Sequence, residues 1–386
     1  MNQKLAKYAV LMCMIVFFAQ PIHLGLWLSR VAEVQSTLGL TKAQLAIALL
    51  GMPTGLLPSL YFAGRTVGKL GPRRALLIAF VPMLLAGILP SLATGTASLL
   101  LALFIFGAVL PFAQVSLNVF AAQVEKKFNI KIMNRAHGFW SLGIMAGSLV
   151  GVQLASVGVT AAPSLFIAAV VLMPLLIMVA YALPDMKPAR PEATTSDALP
   201  PIPNAVWLIA AVIFGATLVE GAMIDWATVY MREIAGAIAG SEGLAVTVFS
   251  GFVTIGRFMG DTLNNRFGTV FLVRLCLGSA ISGLLILIAG FGGTSAFLGF
   301  ALVGFGVSTI FPLGVSATAA LSDKGEARNV SVMTFGALSG FLIGPPMIGF
   351  FADTFSLSAA FILLVPGLVF SFKFAKRLSS NGHLGR

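Results

Sequence analysis

The sequence predicts an all-α integral membrane protein with twelve transmembrane helices in two pseudo-symmetric six-helix bundles and both termini cytoplasmic. Composition is the first reason: 58% of the 386 residues are hydrophobic and 10% charged, whereas soluble domains carry roughly a quarter charged residues. Apolar runs are the second: stretches of about 20 residues, enough to cross a hydrocarbon core about 30 Å thick, recur along the whole chain. The third is the placement of Lys and Arg, which collect in alternate loops. The mean hydropathy of +0.99 excludes an ordinary cytosolic protein, because so few charged residues cannot cover two or three soluble domains.

Lipid offers the backbone no hydrogen-bond partner, so each run must be helical. The first six cover 8–29, 44–63, 74–92, 97–122, 135–157 and 161–183. The second six cover 204–230, 243–263, 270–290, 294–320, 329–351 and 356–374. The first run is too long, and too richly followed by others, for a cleaved signal peptide, and it reads as a permanent span. With the N-terminus inside, the exterior loops hold Arg30, Lys42 and Arg232, and the remaining basic residues fall on the cytoplasmic face or its edge. A miscounted helix in the first half would invert every later loop and destroy that asymmetry.

The chain also repeats itself at an offset near 197 residues: Gly71 maps onto Gly268, Gly107 onto Gly304, Gly143 onto Gly340 and Gly147 onto Gly344. Shared packing need accounts for such matches, and so does a parallel repeat of two halves; the matching topology favours the repeat. The expected division is therefore a bundle over 1–183, a Pro-rich cytoplasmic linker over 184–203 and a bundle over 204–386.

Several function classes drop out. The net charge of +11 is scattered among apolar runs and forms no basic patch with interleaved aromatics, so nucleic acid is not an expected partner. Cys13 and Cys276 lie inside apolar runs and read as small buried hydrophobes, with neither a disulfide framework nor a zinc site, and no metal or cofactor is expected. No G-x-x-x-x-G-K-[ST] run is present for an ATP-driven pump, and no H-E-x-x-H or G-x-S-x-G run for an embedded hydrolase. An enzyme is not expected.

Ionisable groups at membrane depth cost several kcal/mol unless paired or wetted, which makes each one a functional candidate. Two acids lie well inside the spans, Glu220 and the shallower Asp225, followed by Trp226. Five residues separate the acids by about 140° around a helix, so they do not share one wall. Each fits a proton-coupling or ligand role, and each also fits a fixed ion pair or hydrogen bond. In the first helix Gln20, His23, Trp27 and Arg30 fall within roughly 80° of one face, a polar stripe suited to a wet cavity, and Pro21 allows a kink beside it. His23 fits cavity lining or a satisfied structural histidine.

The fourth helix offers Pro111, Gln114 and Asn118 on one face, and the tenth offers Ser308, Pro312 and Ser316. Amides and hydroxyls at this depth suit a ligand rich in hydroxyl or amine groups, and equally suit helix-to-helix hydrogen bonds. Gly143, Gly147 and Gly151 form a small-xxx-small ladder that lets two helices approach. Asn134, His137, Trp140 and Ser141 cluster at the start of the fifth helix, where an interfacial anchor and a gate are both open readings.

The loop after the second helix carries Gly64, Gly68, Lys69, Gly71, Arg73 and Arg74, and resembles the G-x-x-x-D-R-x-G-R-R motif of the major facilitator superfamily. Its counterpart 197 residues later carries Asp261, Asn265, Arg266 and Gly268. In that family the motif makes a tight cytoplasmic turn and a charge contact that gates one conformation; here Gly68 and Asn265 replace the family's Asp. Two further stretches, Met133 to Gly143 and Glu220 to Trp226, resemble a bacterial branch containing rhizopine-pathway membrane proteins and permeases related to fucose permeases.

The resemblance implies a secondary transporter of the bacterial inner membrane, in which two bundles rock around a midplane site lined by helices 1, 4, 7 and 10. It implies a sugar- or cyclitol-like solute, and the acid Glu220 at membrane depth points to coupling to protons. Gln20, His23, Trp27, Gln114, Asn118, Glu220, Trp226 and Ser308 would then contact substrate, with Glu220 and Asp225 in proton coupling. The motif loops together with His137 and Trp140 would gate. Expected partners are a small solute, protons and the lipid bilayer, for a monomer without cofactor. Efflux of a metabolite or drug-like amphiphile fits the same fold, and a membrane-embedded enzyme or a non-transporting sensor is a remote reading.

Overall fold

The computed structural model describes residues 3–185, 201–321 and 326–379, and among them the chain is helical without strands. Among the described residues eleven helices are long and apolar enough to cross a membrane. They are α1 (Gln3–Thr37), α2 (Lys42–Leu70), α3 (Pro72–Leu92), α4 (Thr96–Phe128), α5 (Met133–Ser156) and α6 (Ala161–Ala182) in the first half. In the second half they are α7 (Asn204–Glu233), α8 (Leu244–Phe267), α9 (Thr269–Ala289), α10 (Gly293–Ala319) and α11 (Arg328–Thr354). A shorter apolar helix, α12 (Leu357–Lys373), completes the twelve expected from sequence. Its middle, Phe361–Leu364, is a 3₁₀ segment, which rises about 2.0 Å per residue instead of about 1.5 Å and so lengthens its reach.

Helices outrun their apolar cores. With 33 residues α4 is about 50 Å long, so Lys126 and Lys127 in its last turn clear a core about 30 Å thick. Just beyond, Asn129 adopts the left-handed conformation (φ 52°), and the Glu125 carboxylate accepts from the backbone N–H of Ile132 and Met133 at 2.5 and 2.8 Å. That carboxylate satisfies donors that the first turn of α5 cannot pair internally.

The breaks within helices fall where the sequence cannot supply a backbone donor. In α1 the regular helix stops at Ala19 and resumes at Ile22, because Pro21 has no N–H, and a second break lies at Arg30. In α10 the break lies at Ser308 and Thr309, four and three residues before Pro312. An unbroken helix would bond the Ser308 carbonyl to the N–H of residue 312, and Pro312 has none.

Two turns are alike in detail. Gly71 joins α2 to α3 with φ 81° and ψ 156°, and Gly268 joins α8 to α9 with φ 81° and ψ 159°. This region of backbone space is essentially closed to residues with a Cβ. Gly71 N–H bonds Val67 O at 2.8 Å and Gly268 N–H bonds Asn264 O at 2.9 Å, again at the same offset.

The chain forms two compact units, one of residues 1–193 with 238–247 and the other of 194–237 with 248–386. The expected linker over 184–203 falls mostly on 186–200, which lie outside the described residues. In the first unit α1 packs on α4, α5 and α6, α3 on α4 and α6, and α2 on α4. In the second, α7 packs on α10, α11 and α12, and α9 on α10 and α12, which are the α1 and α3 pairs shifted by six helices.

Glycines set the closest approaches. A Cβ on Gly107 of α4 would overlap the Met52 carbonyl of α2, and one on Gly304 of α10 would overlap the Phe249 carbonyl of α8. The ladder Gly143, Gly147 and Gly151 on α5 lies against Phe18, Ile22 and Ser29 of α1, with Gly25 of α1 against Ile144 in return. The small-xxx-small reading of that ladder is what the backbone shows.

Candidate functional site

In the second unit the sharpest polar feature is an ion pair. Arg257 Nη2 of α8 lies 3.5 Å from Glu220 Oε1 of α7, and the two side chains are only 11% and 15% exposed. Arg257 Nε also donates to the carbonyl of Ser308 at 3.4 Å. That carbonyl is available because Pro312 leaves it without a helical donor. Gly256, the neighbour of Arg257, has no room for a Cβ beside Ser308 Oγ, and this absence lets α8 and α10 close on each other. The fold thus gathers Glu220, Arg257, Ser308 and Pro312 from three helices.

Arg257 corrects the sequence reading, which assigned it to the cytoplasmic edge with the other cations. Its position gave the signal, since it sits inside the expected span 243–263 between Gly256 and Gly260. Charge counting by loop does not register a cation whose partner lies on another helix.

The neighbours on α7 are placed differently. Trp226 is fully buried with its indole N–H unpartnered, and Thr228 Oγ1 is likewise buried without a partner. Asp225 is half-buried. Ser308 Oγ turns back onto the Phe305 carbonyl at 2.6 Å, while Ser316 is exposed and bonds Pro312 O. Cys276 pairs with Thr309 Oγ1 at 3.4 Å, and both Cys276 and Cys13 are fully buried.

In the first unit the polar stripe of α1 is packed into its neighbours. Gln20 is buried, receives the Trp140 indole N–H on Oε1 at 3.2 Å and directs Nε2 at Met83 Sδ. His23 is buried with Nε2 on the Leu165 carbonyl at 3.2 Å, Phe106 edge-on, and Nδ1 without a partner. Trp27 is buried. Arg30, expected to extend the wet stripe, is instead a clamp: it bonds Glu33 at 2.7 Å, Val159 O at 2.9 Å and Ser164 Oγ at 2.8 Å. Glu33 in turn accepts from Ala161 N–H. Beside the breaks at Pro21 and Arg30, Gln20, His23 and Arg30 find their partners on α3, α5 and α6, which helical periodicity alone did not encode.

Gln114 and Asn118 on α4 are half-buried, and Asn118 Oδ1 lacks a partner. His137 sits edge-on to Phe17 with ring centroids 5.7 Å apart, and its carbonyl accepts from Ser141 Oγ. In the motif loops Gly64 and Gly68 have open space around them, and Lys69, Asp261 and Arg266 are exposed. The Arg73 guanidinium lies 5.9 Å from the Tyr181 ring. The structure brings Gln20 together with Trp140, and Glu220 with Ser308 through Arg257.

Residues 9–297 match the Major Facilitator Superfamily. An MFS-type transporter of Yersinia pestis is 30% identical over 352 residues, covering 90% of both chains. The membrane protein MosC of Rhizobium meliloti is 25% identical over 357 residues, covering 90% of this chain and 85% of its own. Among solved structures, a point mutant of the nucleoside transporter NupG superposes with a TM-score of 0.76 at 15% identity, covering 96% of this chain and 99% of the other. A mutant of the E. coli fucose:proton symporter FucP gives 0.62 at 19% identity, covering 97% and 98%. The chain therefore belongs to the Major Facilitator Superfamily, and it is a multi-pass membrane transporter and not an enzyme.

Proposed function

We propose that the chain is a secondary active transporter that carries a small polar, sugar- or cyclitol-like solute by alternating access, coupled to protons. The observation that carries this is the Glu220–Arg257 pair inside two membrane helices. A carboxylate held there has one partner that compensates its charge, so gain or loss of a proton changes how firmly α7 and α8 are held together. Gln114 and Asn118, with an unpartnered amide oxygen on Asn118, supply hydrogen-bonding groups of the kind a hydroxyl-rich solute needs. The Lys and Arg bias supports cytoplasmic termini, and the bacterial relatives support the inner membrane.

A thermal-shift panel of sugars, cyclitols and amino sugars on purified protein would identify a ligand for labelling. In proteoliposomes Glu220→Gln should then abolish proton-driven accumulation while leaving exchange of labelled for unlabelled solute largely intact. Unchanged accumulation at normal protein levels would remove Glu220 from the coupling.

A further inference from the structure

Among the cations expected along the membrane edge, Arg274 is out of place. It is the sixth residue of α9, and with 21 residues that helix is about 30 Å long, no longer than the hydrocarbon core it must cross. Counted from the turn glycines Gly71 and Gly268, the matching position in the first half is Leu77. Arg73 and Arg74 stand in the first turn of α3, whereas Arg274 lies about 9 Å along the axis from Gly268. Its neighbours Phe271 and Leu275 are exposed large apolar residues, as lipid-facing positions of a membrane helix are, and Arg274 is exposed between them.

A charge at that depth needs compensation. Arg274 makes no ion pair and no hydrogen bond among the described residues, and its guanidinium carbon lies 5.9 Å from the Phe372 ring of α12, the outer limit of a cation–π contact. All five of its N–H donors are left for acceptors outside the protein. Phe372 lies across Gly278, one turn beyond Arg274, so its exposed ring sits between the two positions.

More cations lie just above. Lys373 ends α12, and Lys376 and Arg377 stand on the 3₁₀ turn Ala375–Leu378, which packs on α9. Lys373 and Lys376 are exposed. Neither α9 nor the chain from residue 354 onward contains an acid, so these elements supply no counter-charge of their own.

We propose that the corner between α9 and α12 is a binding site for an anionic phospholipid of the leaflet in which α12 ends. Arg274 takes the phosphate in bidentate geometry, Lys373 and Lys376 take the outer headgroup oxygens, and Phe271, Leu275 and Phe372 pack on the upper acyl chains. The missing acids select among lipids. A choline or ethanolamine ammonium placed here would meet only cations, so phosphatidylglycerol and cardiolipin fit and zwitterionic lipids do not. The site uses neither Glu220 nor Arg257 and stands whatever solute the protein carries.

Native mass spectrometry of the full chain in detergent, titrated with dioleoyl phosphatidylglycerol, phosphatidylethanolamine or phosphatidylcholine, reads the site directly. Phosphatidylglycerol should bind about tenfold more tightly than either zwitterionic lipid. Arg274→Leu, which gives α9 the side chain that α3 has at this position, should lose that preference and keep its melting temperature in phosphatidylcholine nanodiscs. Arg274→Lys keeps the charge without the fork and should fall between. Arg74→Gln, which removes an exposed cation of the other half, should leave the preference unchanged, and glycerol phosphate, the headgroup without chains, should not compete.

Equal binding of the three lipids, a wild-type preference in Arg274→Leu, or an equal loss of preference in Arg74→Gln would overturn the proposal. Effective competition by glycerol phosphate would also overturn it, by showing a soluble-anion site in place of a lipid site. If Arg274→Leu does not fold, Arg274→Lys carries the test, and a full wild-type preference in it overturns the bidentate contact.

Discussion

Trp140 of α5 donates its indole N–H to Gln20 Oε1 beside the kink in α1, and 197 residues on, Thr217 of α7 donates to the Ala337 carbonyl of α11 at 2.6 Å. Equivalent positions in the two halves thus tie the same pair of helices together with different chemistry. In the first half the bond uses two long side chains; in the second a hydroxyl reaches backbone directly, because Gly340 lets α11 approach Thr217 and Leu218.

Replacing Trp140 with Phe keeps the ring and removes the donor. Gln20 Oε1 is then buried without a partner, and we expect a loss of about 1–2 kcal/mol in unfolding free energy. A double-mutant cycle with Gln20→Leu, followed by thermal or denaturant unfolding in detergent, should show non-additivity of similar size.

Arg30→Gln should be more damaging, because Glu33 and the start of α6 lose their shared cation. A loss of about 2–3 kcal/mol is expected, together with lower yield in the membrane. Transport per correctly folded molecule should be nearly unchanged. A large drop in specific transport at unaltered stability would contradict the clamp.

The motif glycines should divide into two groups. Gly71→Ala and Gly268→Ala force a Cβ into a backbone region that only glycine tolerates, at a cost of about 1–3 kcal/mol each. Gly64→Ala and Gly68→Ala add a methyl to open space in a helix and should be neutral or slightly stabilising. Melting temperatures of the four single variants, ranked against each other, check this.

Pro312→Ala returns an N–H that can complete α10 by bonding the Ser308 carbonyl, in competition with Arg257 Nε. The variant should be more stable than the wild type and slower in transport. Loss of stability would show that the break at Ser308 does not come from Pro312.

Much of this was legible beforehand, for one physical reason at each point. Spans are visible because lipid demands uninterrupted apolar helix, turns at Gly71 and Gly268 because few residues fit them, and the kink at Pro21 because a donor is missing. The polar groups were legible as residues but not as partners. Gln20, His23 and Arg30 share a face by periodicity, yet beside two breaks in α1 they find partners on α3, α5 and α6. Arg257 stood inside a span in plain view, and its meaning depended on Glu220 lying opposite.

By itself the sequence determined that twelve apolar runs would be helical and where their apolar cores lie, since these follow from local hydrophobicity and backbone chemistry; the helices run past those cores, as α1 (Gln3–Thr37) does past 8–29. Which buried polar groups face one another, Gln20 with Trp140, Arg30 with Glu33 and Ser164, and Arg257 with Glu220 and Ser308, was decided only in three dimensions. Partnership at membrane depth is set by helix rotation and by the close approaches that glycines such as Gly256 and Gly147 permit. Neither is written in the spacing of any single helix.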